Sequence, residues 1–196
     1  CVEKMNFSLM SREVSGQFMM AMTFSAIIGL MVAFPYVFWE IWRFIKPALT
    51  KGEISNSRGI VFATSLLFFM GVLFGYFVVS PLSINFLGSY QISEQVSNQI
   101  GLGSFISTIT MLSFSSGLVF ELPVAIFFLS KLGLVSPPFL RKYRKHSMVV
   151  ILIISAVITP SPDITSQILV AIPLFLLYEV SIGVSAAVER KRNKGN

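Results

Sequence analysis

Residues 114–134, FSSGLVFELPVAIFFLSKLGL, place a single carboxylate, Glu121, inside a run that is otherwise apolar or small up to Ser130. No other charged residue lies between Gln95 and Ser130. A run of this length and hydropathy is typical of a helix that crosses a bilayer, which needs roughly 20 apolar residues. The stretch therefore predicts a membrane span, and it leaves open which group contacts the carboxylate of Glu121.

The composition of the whole chain also indicates a membrane protein. Of its 196 residues, 54% are hydrophobic and only 12% are charged, whereas soluble domains carry about 25% charged residues. The mean hydropathy is +0.77. Because a soluble globule needs more polar surface than this, we predict an all-α, polytopic helical protein that lies in the lipid bilayer as one membrane domain over residues 1–196.

Five segments are apolar enough to be spans, and the last two are short. The predicted spans are residues 18–41, 59–80, 103–130, 145–159 and 164–186. The apolar part of the fourth covers only about 18 Å at 1.5 Å per residue, less than the roughly 30 Å of a hydrocarbon core, so we expect it to thin the bilayer or lean on neighbours. Pro35 and Pro123 lie inside spans, where proline frees backbone carbonyls and favours a kink.

The basic residues predict the orientation. Of the 15 lysines and arginines, all but Lys4 and Arg12 lie in or beside three connecting segments. These segments are residues 42–58, 131–144 and the tail 187–196. By the positive-inside rule they are cytoplasmic, and residues 1–17, 81–102 and 160–163 lie outside. This pattern explains the net charge of +6 without nucleic acid, and the outside start suggests that an N-in span precedes Cys1.

Several residues favour specific packing roles. Gly71 and Gly75 form a GxxxG motif, for which we prefer packing within the chain over a dimer face. Trp39 and Trp42 stand where the first span leaves the bilayer, as in an aromatic belt. Glu40 is expected to pair with the arginine three residues later.

Glu121 lies about 15 Å along the helix from Lys131, close to the predicted bilayer midplane. Small and polar residues share its helical face, namely Gly117, Thr110 and Ser107, together with Phe114. An ionisable residue in a span is costly and usually meets a cavity or a partner, which is the interpretation we prefer. The alternative is a protonated acid that is hydrogen-bonded to a neighbouring helix for packing.

The segment TPSPDITSQ, residues 159–167, predicts a tight turn outside the membrane before the last span. Asp163 can be a helix cap or a functional residue, and the pattern does not choose between them. Gln167 enters an apolar run, where its amide needs a partner within the chain or on another helix.

Nothing in the chain predicts catalysis. The loop FIKPALTKGEISNSRG, residues 44–59, holds one acid, Glu53, which composition alone would make a solvated surface charge. His146 stands among basic residues with no Cys, Asp or Glu at ligand spacing, so no metal site is expected. The chain has no GxSxG, Walker or HExxH motif. We therefore predict no catalytic residue and no cofactor.

Four stretches, in this order, resemble the TatC family, the multi-span core subunit of the twin-arginine protein translocase. They are FPYVFWEIWRFIKPAL at 34–49, FVVSP at 77–81, FELPVAI at 120–126 and TPSPDITSQILVAIP at 159–173. Each is weak alone, but the order and spacing are specific. The resemblance implies six spans with both ends cytoplasmic, of which this chain would lack the first.

The resemblance also assigns roles to residues. It implies that the first cytoplasmic loop binds twin-arginine signal peptides, with Glu53 as the receptor acid beside Phe44 and Lys51. It implies that Glu121, Gln167 and Asp163 contact the signal peptide or TatA- and TatB-type single-span partners. The family's acidic N-terminal stretch is absent here, which would leave the receptor site incomplete. The turn TPSPD is one residue longer than the family's TPPD, so the position of Asp163 is less secure than that of Gln167.

The sequence therefore predicts the core receptor and scaffold of the twin-arginine translocase, driven by the proton gradient. It would lie in the bacterial cytoplasmic membrane as a multi-pass protein with a cytoplasmic C-terminus, together with further copies of itself. The alternative is a proton-coupled secondary transporter of a small solute that uses Glu121. A transporter predicts inverted repeats and a second charged or broken helix that faces this acid, and the sequence shows neither.

Overall fold

The computed structural model describes residues 9–10, 15–45, 57–89, 100–159 and 164–194. These residues form eight α-helices, one π-helical segment and two very short strands. The helices are α1 Gly16–Ile45, α2 Ser57–Phe74, α3 Ser80–Ser89, α4 Leu102–Phe120, α5 Leu122–Lys131, α6 Pro137–Lys142, α7 Arg144–Ile158 and α8 Ile164–Lys194. The strands β1, Leu9–Met10, and β2, Ile100–Gly101, pair in parallel.

Four helical stretches in the described part of the chain are long and apolar enough to cross a membrane. They are Gly16–Phe44, Gly59–Gly88, Leu102–Lys131 and Ser166–Arg190. This confirms the predicted helical membrane architecture. The helix α7 has only 15 residues, in agreement with the predicted short fourth span. Whether it crosses the membrane remains a prediction.

The second long helix continues past residue 80, where the predicted span ends. Between α2 and α3 the backbone widens into a π-helical turn, Gly75–Val79, and the Ser80 N–H donates to the Gly75 carbonyl five residues earlier. In a regular α-helix the ring of Pro81 would clash with the carbonyl of Phe77. A π turn directly before the proline accommodates the ring, so the helix runs on to Ser89.

The helices α2 and α4 approach each other closely at glycines. A Cβ added to Gly71 would lie 2.7 Å from Phe120 Cβ, and one on Gly75 would lie 2.7 Å from Ser113 Cα. From the other side, a Cβ on Gly117 would lie 2.8 Å from the ring of Phe68. The GxxxG motif therefore serves packing within the chain, which confirms the preferred interpretation.

Aromatic rings attach α1 to this pair of helices. Phe34 of α1 stacks on the fully buried Phe68 of α2 with centroids 3.7 Å apart. Trp42 is only 3% exposed and packs 5.4 Å from Phe128 of α5, whereas Trp39 is exposed. The predicted aromatic belt is thus wrong for Trp42, because the indole is buried between two helices instead of facing the membrane interface.

The helix α8 holds the C-terminal half of the structure together. The Tyr178 hydroxyl donates to the Leu140 carbonyl of α6 at 2.8 Å, and the Ser130 hydroxyl of α5 donates to Ser185 Oγ at 2.8 Å. Both hydrogen bonds are buried. These contacts fix the connection between α5 and α7 against α8.

The two predicted kinks differ. The helix α1 continues through Pro35 without a break, so a kink there remains a prediction. The third long helix is interrupted at Glu121, two residues before Pro123, as the proline predicts.

We expect Gly75→Ala to destabilise the protein, because its Cβ would meet backbone atoms of α4 that cannot move aside. Overpacking of this kind costs about 1–3 kcal/mol, so the melting temperature in detergent should fall by several degrees. The matched control is Gly183→Ala in α8, where nothing lies within 4 Å of the added Cβ. Equal stability of the two variants would contradict the close approach of α2 and α4.

Candidate functional site

The helix break at Glu121 follows from local backbone chemistry. Pro123 has no N–H to donate, and its ring would crowd the carbonyl of Val119 in an unbroken helix. At Glu121 the backbone has φ −76° and ψ 0°, and its N–H turns to the Leu118 carbonyl at 3.1 Å. The carbonyl of Glu121 then accepts from the N–H groups of Val124 and Ala125, both at 3.0 Å, and starts α5. The acid therefore stands at the joint between two helices.

The carboxylate of Glu121 is buried and unpartnered. Neither Oε1 nor Oε2 has a hydrogen-bond partner among the described residues, although both atoms are shielded from solvent. A buried polar group without a partner costs about 1–3 kcal/mol in proteins. The interpretation of Glu121 as a packing acid bonded to a neighbouring helix is therefore wrong for the described residues. A group kept at such a cost suits a contact with something outside the chain.

On the small and polar face beside Glu121, Gly117 and Thr110 are buried, whereas Ser107 is exposed. Gly117 packs against Phe68 and Val72 of α2, and the Thr110 hydroxyl donates to its own helix at the Ile106 carbonyl, 2.7 Å away. Gly117 therefore contributes to the contact between α2 and α4 that positions the acid.

An aromatic cluster joins α5 to α1, and the sequence analysis singled out neither Phe38 nor Phe128 of this cluster. Phe128 of α5 lies 6.2 Å from Phe38 and 5.4 Å from Trp42 of α1, centroid to centroid. The indole Nε1 of Trp42 is buried and has no acceptor in the described ranges. The i+7 spacing of Phe128 from Glu121 could have suggested a shared face, but burial of Trp42 depends on how α1 packs. A donor without a partner thus lies on α1, at Trp42, and an acceptor without a partner lies at the α4–α5 joint, at Glu121.

Gln167 finds a partner within the chain. Its Nε2 donates to the Leu152 carbonyl of α7 at 3.0 Å, and the same carbonyl accepts from the Ser155 hydroxyl at 2.9 Å. This confirms one of the two alternatives for the amide. In the described structure no hydrogen bond joins Gln167 to Glu121. The Oε1 of Gln167 can still accept a hydrogen bond from another group.

The predicted signal-peptide loop lies mostly outside the described residues. Glu53 and Lys51 fall in residues 46–56, and Asp163 falls in residues 160–163, so the roles of all three stay predictions. Phe44 near the end of α1 is 84% exposed, which suits a contact residue. The predicted Glu40–Arg43 pair is present at 3.6 Å.

One ion pair between helices was not predicted. Arg144 at the start of α7 donates from its guanidinium to Glu179 Oε2 of α8 at 2.6 Å. Arg144 lies in the predicted cytoplasmic segment 131–144, and Glu179 is the one acid in the predicted span 164–186, which is the signal that could have suggested the pair. In the part of the chain that the structure describes, no cluster of three or more His, Cys, Asp or Glu side chains is placed to hold a metal ion.

Comparison with protein families gives a match over most of the chain. The family model described as "Sec-independent protein translocase protein (TatC)" matches residues 2–173. The protein of that name from Blattabacterium sp. subsp. Periplaneta americana is 43% identical over 187 residues, which are 95% of this chain and 70% of the relative. The one from Carboxydothermus hydrogenoformans is 34% identical over 99% of this chain and 79% of the relative.

Solved structures show the same likeness. A crystal structure of the twin arginine translocase receptor TatC in DDM superposes with a TM-score of 0.75 at 32% sequence identity. The superposition covers 91% of this chain and 79% of that one. The arrangement of helices described above is therefore that of a known membrane fold.

We expect Glu121→Leu to stabilise the isolated protein in detergent, because it replaces an unpartnered buried carboxylate with an apolar side chain. The gain should be about 1–3 kcal/mol, seen as a rise of a few degrees in melting temperature. Glu121→Gln keeps a polar group at the joint and serves as the control with a smaller gain. A clear loss of stability in Glu121→Leu would show that the carboxylate has a structural partner.

Proposed function

The chain belongs to the TatC family of Sec-independent protein translocase proteins, and from this premise we propose that it is the core receptor and scaffold of a twin-arginine translocase. It binds the Arg-Arg signal peptides of folded proteins at its cytoplasmic face. It binds single-span partners within the membrane at Glu121 and Gln167, and at Asp163 in the turn before α8. The observation that carries the proposal is the family match over residues 2–173, supported by a solved relative that is itself named a receptor.

The proposed receptor acid is Glu53 in the first cytoplasmic loop, with Phe44 and Lys51 beside it. A guanidinium forms two parallel hydrogen bonds with a carboxylate, which a lysine cannot reproduce. Without Glu53, the flanking basic residues of the loop would repel a twin-arginine peptide. The high exposure of Phe44 supports a role in contacting the apolar part of that peptide.

The proposed partner site is centred on Glu121. Its buried carboxylate has unfilled acceptor capacity at the α4–α5 joint, so a polar or hydrogen-bond-donating group on an inserted helix would relieve its desolvation. The Oε1 of Gln167 is a second acceptor, although its Nε2 is engaged by Leu152. Asp163 would contribute from the turn before α8. The expected occupants are TatA- and TatB-type partners or the inserted signal peptide.

The rest of the proposal follows the family. The protein is a multi-pass component of the bacterial cytoplasmic membrane with a cytoplasmic C-terminus, works with further copies of itself, is not an enzyme, and uses the proton gradient to drive export. A proton-coupled transporter would place a second charged group against Glu121. Among the described residues no ion pair involves Glu121, which favours the scaffold role.

A twin-arginine signal peptide should bind the full-length protein in detergent, and a Lys-Lys version should bind at least tenfold more weakly. Glu53→Gln should lower the affinity for the Arg-Arg peptide by about tenfold or more, because a charge-assisted hydrogen bond contributes about 1.5–3 kcal/mol. The dissociation constants can be measured by fluorescence anisotropy of labelled peptides.

The control for this experiment is Glu189→Gln, which removes one carboxylate from the C-terminal part of α8. It should bind like the unmodified protein. If neither the Lys-Lys change nor Glu53→Gln weakened binding, the loop would be ordinary solvated surface and the receptor role would fail.

Glu121→Leu should reduce co-purification of single-span Tat partners severalfold, because it removes the carboxylate that is proposed to contact them. The control is Glu40→Gln, which removes a carboxylate already paired with Arg43. Undiminished co-purification with Glu121→Leu would rule out the α4–α5 joint as a partner site.

A further inference from the structure

We propose that the surface around α6 and the start of α7 binds the headgroups of anionic phospholipids. This surface, the basic rim, consists of Arg141, Lys142 and Lys145 together with the exposed aromatic side chains of Phe139 and Tyr143. The inference is independent of the receptor role, because it concerns the lipid that surrounds the protein and not its cargo.

The basic rim carries charge that the described protein does not neutralise. Arg141, Lys142, Arg144 and Lys145 are all exposed. Arg144 is paired with Glu179, while the other three have no ion pair with an acidic side chain in the ranges that the structure describes. Between residues 122 and 178 the sequence contains one acid, Asp163, which lies outside the described residues. Three positive charges therefore face outward and favour an anionic ligand.

The basic rim is held in place and is not a loose loop. Pro137 and Leu140 of α6 are buried, and the Leu140 carbonyl accepts the buried hydrogen bond from Tyr178. The Arg144–Glu179 pair fixes the adjoining start of α7 on α8. A ligand that binds here meets side chains on an ordered backbone, so less entropy is lost on binding.

The side chains between the charges suit a membrane interface. Phe139 and Tyr143 are exposed and in contact, with ring centroids 4.5 Å apart. Leu132 and Leu134, just before α6, are also exposed, Leu134 to 69%. Basic residues interleaved with exposed aromatic and leucine side chains are typical of surfaces that rest at the boundary of headgroups and acyl chains.

The length of α7 points to lipid as the occupant. Its 15 residues rise about 22 Å, less than the roughly 30 Å of a hydrocarbon core. As the predicted short span, α7 would thin the bilayer beside it and bring phosphates toward its ends. At the start of α7 those phosphates would meet Lys145, and they would also lie near Arg141 and Lys142 in the last turn of α6. An acidic protein segment would need the same charges but not the short helix or the exposed leucines.

The test is native mass spectrometry of the full-length protein purified in detergent and mixed with equal amounts of phosphatidylglycerol and phosphatidylcholine. The unmodified protein should retain phosphatidylglycerol preferentially. The triple variant R141Q/K142Q/K145Q should retain at least fivefold less, because each basic residue near a headgroup contributes substantially to binding. The control triple R190Q/K191Q/R192Q removes the same charge from the C-terminal tail and should retain phosphatidylglycerol as the unmodified protein does.

Several outcomes would overturn the proposal. Equal loss in both triple variants would mean that overall charge, not the basic rim, attracts the lipid. Displacement of phosphatidylglycerol by millimolar inorganic phosphate would indicate a site for free anions, and displacement by a polyglutamate peptide would indicate an acidic protein partner. If the first triple variant misfolds, as judged by its melting temperature, the single variant Lys145→Gln replaces it and should still lower retention about twofold.

Discussion

The close approach of α2 and α4 is the constraint on which the rest of the structure depends. Because Gly71, Gly75 and Gly117 have no side chains, backbone and rings of the two helices meet where any Cβ would clash. In a membrane, where lipid is as apolar as a leucine, such close packing replaces the hydrophobic effect as the force between helices. Phe68 is buried in this contact, and Phe34 of α1 stacks on the face of its ring. The position of α4, and hence of its joint with α5, follows from this packing.

At the α4–α5 joint, a break in the helix coincides with a carboxylate that has no hydrogen-bond partner among the described residues. Pro123 causes the break, because its ring cannot fit an unbroken helix. Glu121 therefore lies between the end of α4 and the start of α5. The polar contacts of the C-terminal half are arranged differently, since Gln167, Tyr178, Ser130 and Arg144 all have partners within the chain. Among the described residues the hydroxyls of Thr64, Ser83 and Ser116 and the indole N–H of Trp42 are also buried without partners, but Glu121 is the one carboxylate in this group. An ionisable group in a membrane span usually meets a cavity or a partner, so this carboxylate marks a place for an external group.

Features that depend on local chemistry could be predicted from the sequence. The break before Pro123, the Glu40–Arg43 pair and the intrachain use of the GxxxG motif each depend on residues a few positions apart or on a general property of small side chains. Features that depend on which helices become neighbours could not. The burial of Trp42 and the Arg144–Glu179 pair are of this kind, because they join distant parts of the chain. The extension of the second long helix through a π turn to Ser89 is local, but the sequence pattern does not say whether a helix ends at Pro81 or accommodates it.

The sequence by itself determined the membrane class, the helical architecture, the family and the identity of the candidate acid, because apolar length, charge placement and motif order are properties of the linear chain. Only the tertiary structure decided that Gln167 is engaged by Leu152, that the small face beside Glu121 packs on α2, and that the carboxylate itself is left without a partner. The reason is physical: hydrogen bonding of a buried group depends on the atoms within about 3 Å of it, and in this chain those atoms come from helices far apart in sequence.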